Sequence, residues 1–418
     1  MEEKLDKYRK KLDMIDVPES LLDEAIEAGF QKAKQEQKRR PRRIWILSVA
    51  MVAILLVGFS SIEKIMDLIQ DDKGMRAAIE HDYYEEIGVS QKKKEVEFVI
   101  DGAIADESGI VIFYTIHTDK KQKSITTESL ELKSSKGKQL DYDSLTYGGP
   151  HESEKGKKTY SGKIEYYFKN PLKERDFRLD IELKGDSVHE KFSLDFSLIN
   201  ALKEKKTFAL NKTVTIEGQK VHFKEAVMYP LRVGIHVQID PKNQKKILEF
   251  EDMRLEDEKG ELWTKITNGI TSTTISEYEF VYYLQSNYFK EPEELYLAFN
   301  KIQAVDKDYS AVVVDIEKEK ILKQPPGNKL SGLEVSGQSI RLNLSLEKEF
   351  PYGIFSVVKD GDGHDMDIDS SFVSTYGEEG YQSVGISIPN LKSYPNPISL
   401  ELSFFPEWIG GEERIRIK

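Results

Sequence analysis

Residues 44–62 read IWILSVAMVAILLVGFSSI and divide the chain into a short polar region before them and a long one after them. The stretch contains no charged residue, and a helix needs about 20 apolar residues to cross the hydrocarbon core of a bilayer. A basic cluster stands immediately before it, made of Lys38, Arg39, Arg40, Arg42 and Arg43. Basic flanks remain in the cytoplasm, and a tryptophan such as Trp45 favours the membrane interface. We therefore predict a single transmembrane helix over 44–62, with the N terminus in the cytoplasm and the later residues outside the cell.

Two other interpretations of residues 44–62 are weaker. A cleaved signal peptide has a shorter polar region in front of it and a clearer small-residue cleavage pattern. A buried core helix of a globular protein rarely has so dense a basic cluster at one end. Only 39% of all residues are hydrophobic, so we predict no second span.

Charge and cysteine content exclude several classes of function. The 418-residue chain has a net charge of −12, whereas residues 1–43 carry +2, so the remainder carries −14. An acidic exterior repels the phosphate backbone of nucleic acid, which we therefore exclude as a direct partner. The sequence has no cysteine, which excludes thiol catalysis, disulfide bonds and zinc sites built from cysteine. Outer domains without disulfides suit a Gram-positive surface.

The cytoplasmic region contains a predicted amphipathic helix over 18–36, preceded by the helix-start pattern Asp-Val-Pro-Glu at 16–19. Leu22, Ile26 and Phe30 recur at helical spacing and form a narrow apolar stripe. A region this short cannot cover the stripe by itself. We therefore predict that these three residues insert into a groove on a protein partner.

The other interpretation of this helix is that it lies on the inner leaflet of the membrane. The residues beside the stripe are mainly acidic, however, and anionic lipids would repel them. The basic cluster is confined to the end next to the predicted span. We therefore assign the lipid head groups to the basic cluster and the protein partner to the stripe.

After a predicted helical stalk over 63–91, the chain consists of short alternating runs rich in Val, Ile, Phe, Tyr and Thr, separated by turns with glycine. This pattern is typical of antiparallel β-sandwiches. A weak repeat begins near Leu132, Leu255 and Val357: strand, charged turn, aromatic strand, proline, strand. Its spacing of a little over one hundred residues is that of immunoglobulin-like sandwiches. We predict three such domains, over 92–203, 204–325 and 326–418.

The sequence contains no recognisable catalytic or cofactor site. The seven histidines are scattered, and the patterns of zinc proteases, serine hydrolases, P-loops and dinucleotide-binding domains are absent. The acidic run 360–369 resembles a calcium loop, but it lacks the glycine and glutamate of an EF-hand and aligns with plain hairpin turns in the other two repeats. We predict no metal, no cofactor and no enzymatic activity.

Several short motifs resemble bacterial membrane proteins with the DUF4179 domain, often followed by a DUF5643 domain. Before the span these motifs are Val-Pro-Glu at 17–19, Ala25, Ile26, Gly29 and Lys-Ala-Lys at 32–34. After the span they are Asp-Asp-Lys-Gly at 71–74, Ala78, Ile79, Glu80, Tyr84 and Asp-Gly-Ala-Ile-Ala-Asp at 101–106. The resemblance to the DUF5643 domain rests on Phe-Ala-Leu-Asn-Lys-Thr-Val at 208–214 and the residues up to Asp240. The third predicted domain is placed by the internal repeat alone.

This resemblance implies an anti-sigma factor of the cell membrane. The cytoplasmic region would hold an extracytoplasmic-function sigma factor, and the outer domains would sense the state of the envelope. An envelope ligand and a site-specific protease are further partners that this role implies. The alternative is a structural or adhesive surface protein on a membrane anchor. An uncovered apolar stripe in the cytoplasmic region favours the regulator, because a passive anchor needs only basic residues there.

Overall fold

The computed structural model describes residues 62, 64–148, 151–264, 272–374, 377 and 380–418. The predicted cytoplasmic region and the predicted span, apart from Ile62, lie outside the described residues. Within the described part of the chain, no helix combines the length and the apolar character that crossing a membrane requires. The described chain is mainly β and forms several antiparallel sheets.

Residues 64–84, which we call the junction segment, precede the first strand. Residues 64–68 are helical, and helix α1 (Lys73–Glu80) follows. The sequence predicted a helical stalk over 63–91, but strand β1 already begins at Glu85. Residues from Glu85 onward alternate between half-buried and exposed positions, as an edge strand does, and this period of two overrides a helix there.

The first β unit comprises strands β1 to β7. Strand β3 is 26 residues long and bends, so that its first part pairs with β2 and β5 and its last part with β6. Side chains from β2, β3, β5, β6 and β7 share one core. The strands are β1 (Glu85–Lys93), β2 (Val96–Asp106), β3 (Gly109–Ser134), β4 (Tyr142–Tyr147), β5 (His151–Phe168), β6 (Asp176–Gly185) and β7 (His189–Ser197).

The start of β3 is buried on both faces. Ile110 and Ile112 point into the core of the first β unit, whereas Val111 and Phe113 belong to a second apolar cluster on the other face. A strand that is covered on both faces reads as a continuous apolar run instead of an alternating one. The sequence Gly-Ile-Val-Ile-Phe-Tyr at 109–114 has this character.

The middle β unit comprises strands β8 to β16 and the last strand, β25. One sheet has the order β14-β15-β10-β9-β8, and the other joins β11, β12, β13 and β25 around β16. The strands are β8 (Lys206–Ile216), β9 (Gln219–Met228), β10 (Arg232–Ile239), β11 (Lys245–Phe250), β12 (Arg254–Asp257), β13 (Leu262–Trp263), β14 (Ser272–Ser276), β15 (Glu279–Gln285), β16 (Leu295–Asp306) and β25 (Trp408–Arg416). Phe223 and Phe250 both pack on Phe299 between the sheets, with ring centroids 5.3 and 5.1 Å away.

The third β unit comprises strands β17 to β24, in two four-stranded sheets around a separate core. The strands are β17 (Ala311–Asp315), β18 (Lys320–Lys323), β19 (Leu330–Ser336), β20 (Ser339–Ser345), β21 (Phe355–Lys359), β22 (Ser370–Val373), β23 (Tyr381–Ser387) and β24 (Ile398–Leu402). Two short 3₁₀ helices, Lys307–Tyr309 and Leu391–Ser393, also lie in the described chain.

The third β unit is an insertion between two strands of the middle β unit. The chain leaves after β16 and returns as β25, which pairs with β16. The sequence placed this unit at 326–418, and the structure differs at both ends. Ile409, Ile415 and Ile417 complete the core of the middle β unit, while β17 and β18 belong to the third. A repeat in the sequence could not reveal that the last strand returns to a sheet of the middle β unit.

The three repeats have the same turn geometry. Each turn begins with a residue whose side-chain oxygen accepts a hydrogen bond from the amide four residues later. The accepting residues are Ser134, Asp257 and Asp360, and the distances are 3.2, 2.7 and 2.9 Å. A glycine with positive φ stands three residues after each of them, at Gly137, Gly260 and Gly363. The strand before the turn then pairs with the strand after the proline, as β3 with β6, β12 with β16 and β21 with β24. In the third repeat, Val358 occupies the position of Leu132 and Leu255, one residue later than the sequence alignment placed it.

Candidate functional site at the junction segment

None of the residues predicted to bind a partner or lipid can be located. Leu22, Ile26 and Phe30, the basic cluster from Lys38 to Arg43, and Trp45 lie outside the described residues. The candidate site in the described chain is instead the joint where the junction segment, the first β unit and the middle β unit meet.

Helix α1 in the junction segment is fixed at its start by a capping residue. Asp72 has an extended backbone, and its Oδ1 accepts a hydrogen bond from the amide of Met75 over 2.9 Å. Such a cap stabilises a helix by about 1 kcal/mol. Met75, Ala77 and Ala78 on one face of the helix are buried, whereas Arg76 and Glu80 are exposed. The helix is therefore amphipathic, and its apolar face is covered by the β units.

The junction segment shares an apolar cluster with the outer face of the first β unit. Its buried members in the segment are Ile65, Ile69, Met75, Ala78 and Tyr83, and those in the first β unit are Ile104, Val111, Phe113 and Tyr167. The hydroxyl of Tyr83 also donates to the carbonyl of Ala105 over 2.7 Å. Burial raises the pKa of Tyr83 to about 12, so this hydroxyl keeps its proton at neutral pH.

The same segment contacts the middle β unit through two hydrogen bonds and a close approach of its backbone. The Nε2 of Gln285 donates to the carbonyl of Asp71 over 2.9 Å, and the Nζ of Lys73 donates to the carbonyl of Leu262 over 2.9 Å. A side chain at Gly74 would place its Cβ 2.8 Å from the backbone N and O of Ser286. Real Cβ atoms do not approach backbone atoms this closely, so the contact requires glycine at position 74.

A buried carboxylate links the two β units directly. Asp106 is fully buried in the turn between β2 and β3, where its Oδ1 accepts from Ser108 and Gly109. Its Oδ2 accepts from the amide of Leu231, in the turn between β9 and β10, over 2.7 Å. Burial raises the pKa of Asp106, although these hydrogen bonds and the charge of Arg232 oppose the shift.

Arg232 stands between an aromatic ring of each β unit. Its guanidinium carbon lies 3.9 Å from the ring centroid of Tyr167, in the first β unit, and 3.8 Å from that of Tyr283, in the middle one. The arginine is only 4% exposed, and a desolvated cation between two rings is attracted to both faces. Asp106 and Arg232 therefore place one buried charge of each sign at the same joint.

The acidic run at 360–369 is used by the protein itself. The Oδ1 of Asp360 accepts the amides of Asp362 and His364 over 3.0 and 2.9 Å, as Asp257 does in its own turn. These hydrogen bonds lower the pKa of Asp360. Within the described residues, no cluster of three or more histidine, aspartate or glutamate side chains is placed to hold a metal ion.

An open cleft of about 480 Å³ lies in the third β unit, lined in part by Lys318, Tyr394 and Asn396. Two of its polar side chains are bound to a neighbouring carboxylate. The Nδ2 of Asn396 and the Nζ of Lys318 both donate to the carboxylate of Asp315, over 2.7 and 3.0 Å. The cleft is therefore built by structural hydrogen bonds and does not present an obvious ligand site.

Several residues of the joint stand in motifs of the sequence, but no sequence pattern assigns them to a shared site. Gly74 belongs to the Asp-Asp-Lys-Gly motif at 71–74 and lies inside α1. Arg232 and Tyr283 were not singled out, because nothing in a linear pattern shows that two turns far apart in sequence meet. One available signal was the uninterrupted apolar run at 109–114, which indicates that a further layer covers that face of the sheet.

Comparison with known families gives two matches that meet at this joint. Residues 37–118 match a family described as "Domain of unknown function (DUF4179)", and residues 205–336 match one described as "Family of unknown function (DUF5643)". Both domain names expected from the sequence are thereby confirmed. The junction segment and Asp106 fall in the first match, whereas Arg232 and Ser286 fall in the second.

Other comparisons add little. No curated protein matches the chain. One solved structure with similarity is described as "The crystal structure of the conserved domain protein from Bacillus anthracis". It is 15% identical, with a TM-score of 0.39, and the match covers 57% of this chain and 84% of that one.

Proposed function

We propose that the protein is a single-pass membrane anti-sigma factor. The cytoplasmic helix at 18–36 inserts Leu22, Ile26 and Phe30 into a groove on an extracytoplasmic-function sigma factor and keeps it from RNA polymerase. The support is the uncovered apolar stripe, the basic cluster, the apolar stretch at 44–62 and the DUF4179 match that extends from residue 37 across this stretch. The sigma factor remains at the membrane because the span holds the helix there.

We further propose that the β units lie outside the cell and sense the state of the envelope. In this proposal they are immunoglobulin-like sandwiches, as their antiparallel sheets and repeat length suggest. The observation that carries the proposal is the burial of the junction segment between two β units. The junction segment begins two residues after the end of the predicted span, so a change between these units acts on the chain next to the membrane. An envelope ligand or a protease would supply the signal.

A binding experiment tests the proposal with a charge placed inside or outside the stripe. The full-length protein in detergent micelles is mixed with purified extracytoplasmic-function sigma factors of the source bacterium. We expect one of them to bind the wild type, and Ile26→Asp to abolish binding because it buries an unpaired charge. Gln31→Asp adds the same charge on the opposite face of the helix and should leave binding intact.

Two outcomes would contradict the proposal. If no sigma factor of the set binds the wild type, the protein is not an anti-sigma factor. If Ile26→Asp and Gln31→Asp bind equally well, the apolar stripe is not the contact surface.

A further inference from the structure

Besides the junction segment, single hydrogen bonds and ring contacts join the first and middle β units. Among the described residues, no strand of one unit pairs with a strand of the other. Their direct polar contacts include the hydrogen bond from the Leu231 amide to Asp106, the contact of Arg232 with Tyr167, and a hydrogen bond from Thr273 of β14 to Asp143 of β4 over 2.7 Å. A connection over 198–205 joins β7 to β8 without any regular structure. Two units joined in this way can move relative to each other once these few contacts separate.

The junction segment supplies half of the buried side chains in the apolar cluster at this joint. Five of its buried side chains lie in the same cluster as Phe113 of the first β unit and Leu231 of the middle one. Tyr83 also accepts the amide of Lys203, within the connection, over 3.0 Å. His81 stacks on Phe289 of the middle β unit with ring centroids 5.5 Å apart. The segment therefore contacts both units and the connection between them.

The fit of the segment depends on one residue without a side chain. Gly74 lies inside α1, where glycine costs about 1 kcal/mol of helix stability relative to alanine. The close approach of its backbone to Ser286 explains why glycine stands there. Alanine at this position favours the helix itself but pushes it away from the middle β unit. Gly74→Ala should thus stabilise the helix itself but weaken its docking on the middle β unit.

We propose that the junction segment is a latch between the first and middle β units. When it is docked, the two units have one arrangement; when it leaves, they move about the connection over 198–205. The state of the chain beside the membrane is thereby linked to the arrangement of the two units, and a ligand or force that changes one changes the other by the same free energy. The physiological meaning of the latch rests on the proposed function, but its existence does not.

The experiment measures docking and unit arrangement separately in the full-length protein in detergent micelles. The chain has no native cysteine, so Lys136→Cys in the first β unit and Lys242→Cys in the middle one, both exposed, accept a donor and an acceptor dye. Single-molecule energy transfer reports the distance between the units. Hydrogen exchange of the peptide over 75–83 reports docking.

Gly74→Ala should increase hydrogen exchange over 75–83 by about tenfold or more and broaden the distance distribution between the dyes. Gln285→Met, which removes the hydrogen bond to Asp71 from the other side, should shift both readouts in the same direction but less. Glu80→Ala, an exposed position of the same helix, should change neither. Exchange in strands β5 and β9 should stay slow in all variants, which shows that the units remain folded.

Two results would overturn the latch. In the first, Gly74→Ala undocks the segment, as faster exchange shows, while the distance distribution stays as narrow as in the wild type; the units are then held without it. In the second, neither Gly74→Ala nor Gln285→Met changes exchange over 75–83, and the contact with the middle β unit does not control docking. No sigma factor enters this experiment, so either result is separate from failure of the proposed function.

Discussion

The middle β unit is joined to its two neighbours in different ways. Its joint with the first β unit consists of side-chain and turn contacts and the junction segment, and no strand pairs across it in the described chain. Its joint with the third β unit is continuous with the sheets, because the chain leaves through β16 and returns through β25. Val305 of β16 lies in the core of the third β unit, although most of that strand belongs to the middle one.

Buried hydrogen bonds strengthen the joint between the middle and third β units. Gln303 is fully buried; its Oε1 accepts the amide of Phe405 over 3.1 Å, and its Nε2 donates to Glu251 over 2.8 Å. The indole of Trp408 donates to the same carboxylate over 2.7 Å. From this difference we expect the middle and third β units to unfold as one cooperative body, and the contacts with the first β unit to open before them.

The largest effect is expected from damage to the returning strand. Ile409→Ala combined with Ile415→Ala removes two buried side chains, and each such truncation costs about 2–5 kcal/mol. Hydrogen exchange of the full-length protein should show that strands of the middle and third β units lose protection together, while β5 keeps it. Ile199→Ala, at a position that is 88% exposed, is the control and should have no such effect. Independent unfolding of the third β unit would refute the idea of one body.

Asp106→Asn should open the first joint selectively. An amide has a single acceptor oxygen, so it cannot accept from both the turn at 108–109 and Leu231. Loss of a hydrogen bond to a buried carboxylate costs about 1.5–3 kcal/mol. We expect faster exchange of the Leu231 amide without loss of protection in β2 or β3. Asp257→Asn, whose carboxylate caps only its own turn, is the matched control; an equal effect on Leu231 in both variants would contradict the assignment.

Arg232→Met keeps the volume of the side chain but removes the cation between Tyr167 and Tyr283 and leaves Asp106 without its nearby positive charge. A desolvated cation–π contact is worth about 2 kcal/mol, so the melting temperature should fall. Arg414→Met removes an exposed arginine that lies 3.6 Å from the ring of Tyr296, where the contact is worth about 0.5–1 kcal/mol. Calorimetry should find the smaller loss for Arg414→Met, and a reversed order would show that the buried contact does not hold the joint.

The smallest effect concerns pH. Burial raises the pKa of Asp72, and Lys163 and Glu165 of the first β unit act on it with opposite signs. A raised carboxylate pKa means that the docked state binds the proton more tightly than the undocked state does. Protonation of Asp72 therefore contributes fully to the free energy of docking below the ordinary pKa of 3.8, and this contribution is lost as the pH rises through the raised value. Docking should therefore strengthen as the pH falls from neutral.

Asp72→Asn isolates this contribution, since asparagine caps a helix about as well as aspartate. The pH dependence of hydrogen exchange over 75–83 should become weaker than in the wild type, with docking at neutral pH equal or tighter. Asp72→Ala, which lacks the cap, should instead weaken docking by about 1 kcal/mol at all pH values. If Asp72→Asn retained the full pH dependence, the titrating group would be another one.

The sequence predicts the local structure of the described chain well and its long-range contacts poorly. Repeated strand and turn patterns near Leu132, Leu255 and Val357 predicted three similar β units, and the turns have the same hydrogen bonds in all three. Local patterns suffice for this because alternation and turn chemistry act over a few residues.

Contacts between distant segments were beyond such patterns. The sequence placed the last strand in the third β unit, since nothing local distinguishes a strand that returns to an earlier sheet from one that continues. It likewise extended the helical stalk into β1, and it did not show that Gly74 meets Ser286. These features depend on residues far apart in the chain, and a single sequence does not reveal such pairs.

The most direct test compares two amides that donate across the two joints. Hydrogen exchange of the full-length protein in detergent micelles is followed at single-amide resolution for Leu231, which donates to Asp106, and for Phe405, which donates to Gln303. We predict that Leu231 exchanges together with residues 75–83 by a partial opening, and that Phe405 exchanges only when the middle and third β units unfold. Exchange of Phe405 before Leu231, or of both in one step with all strands, would contradict the account.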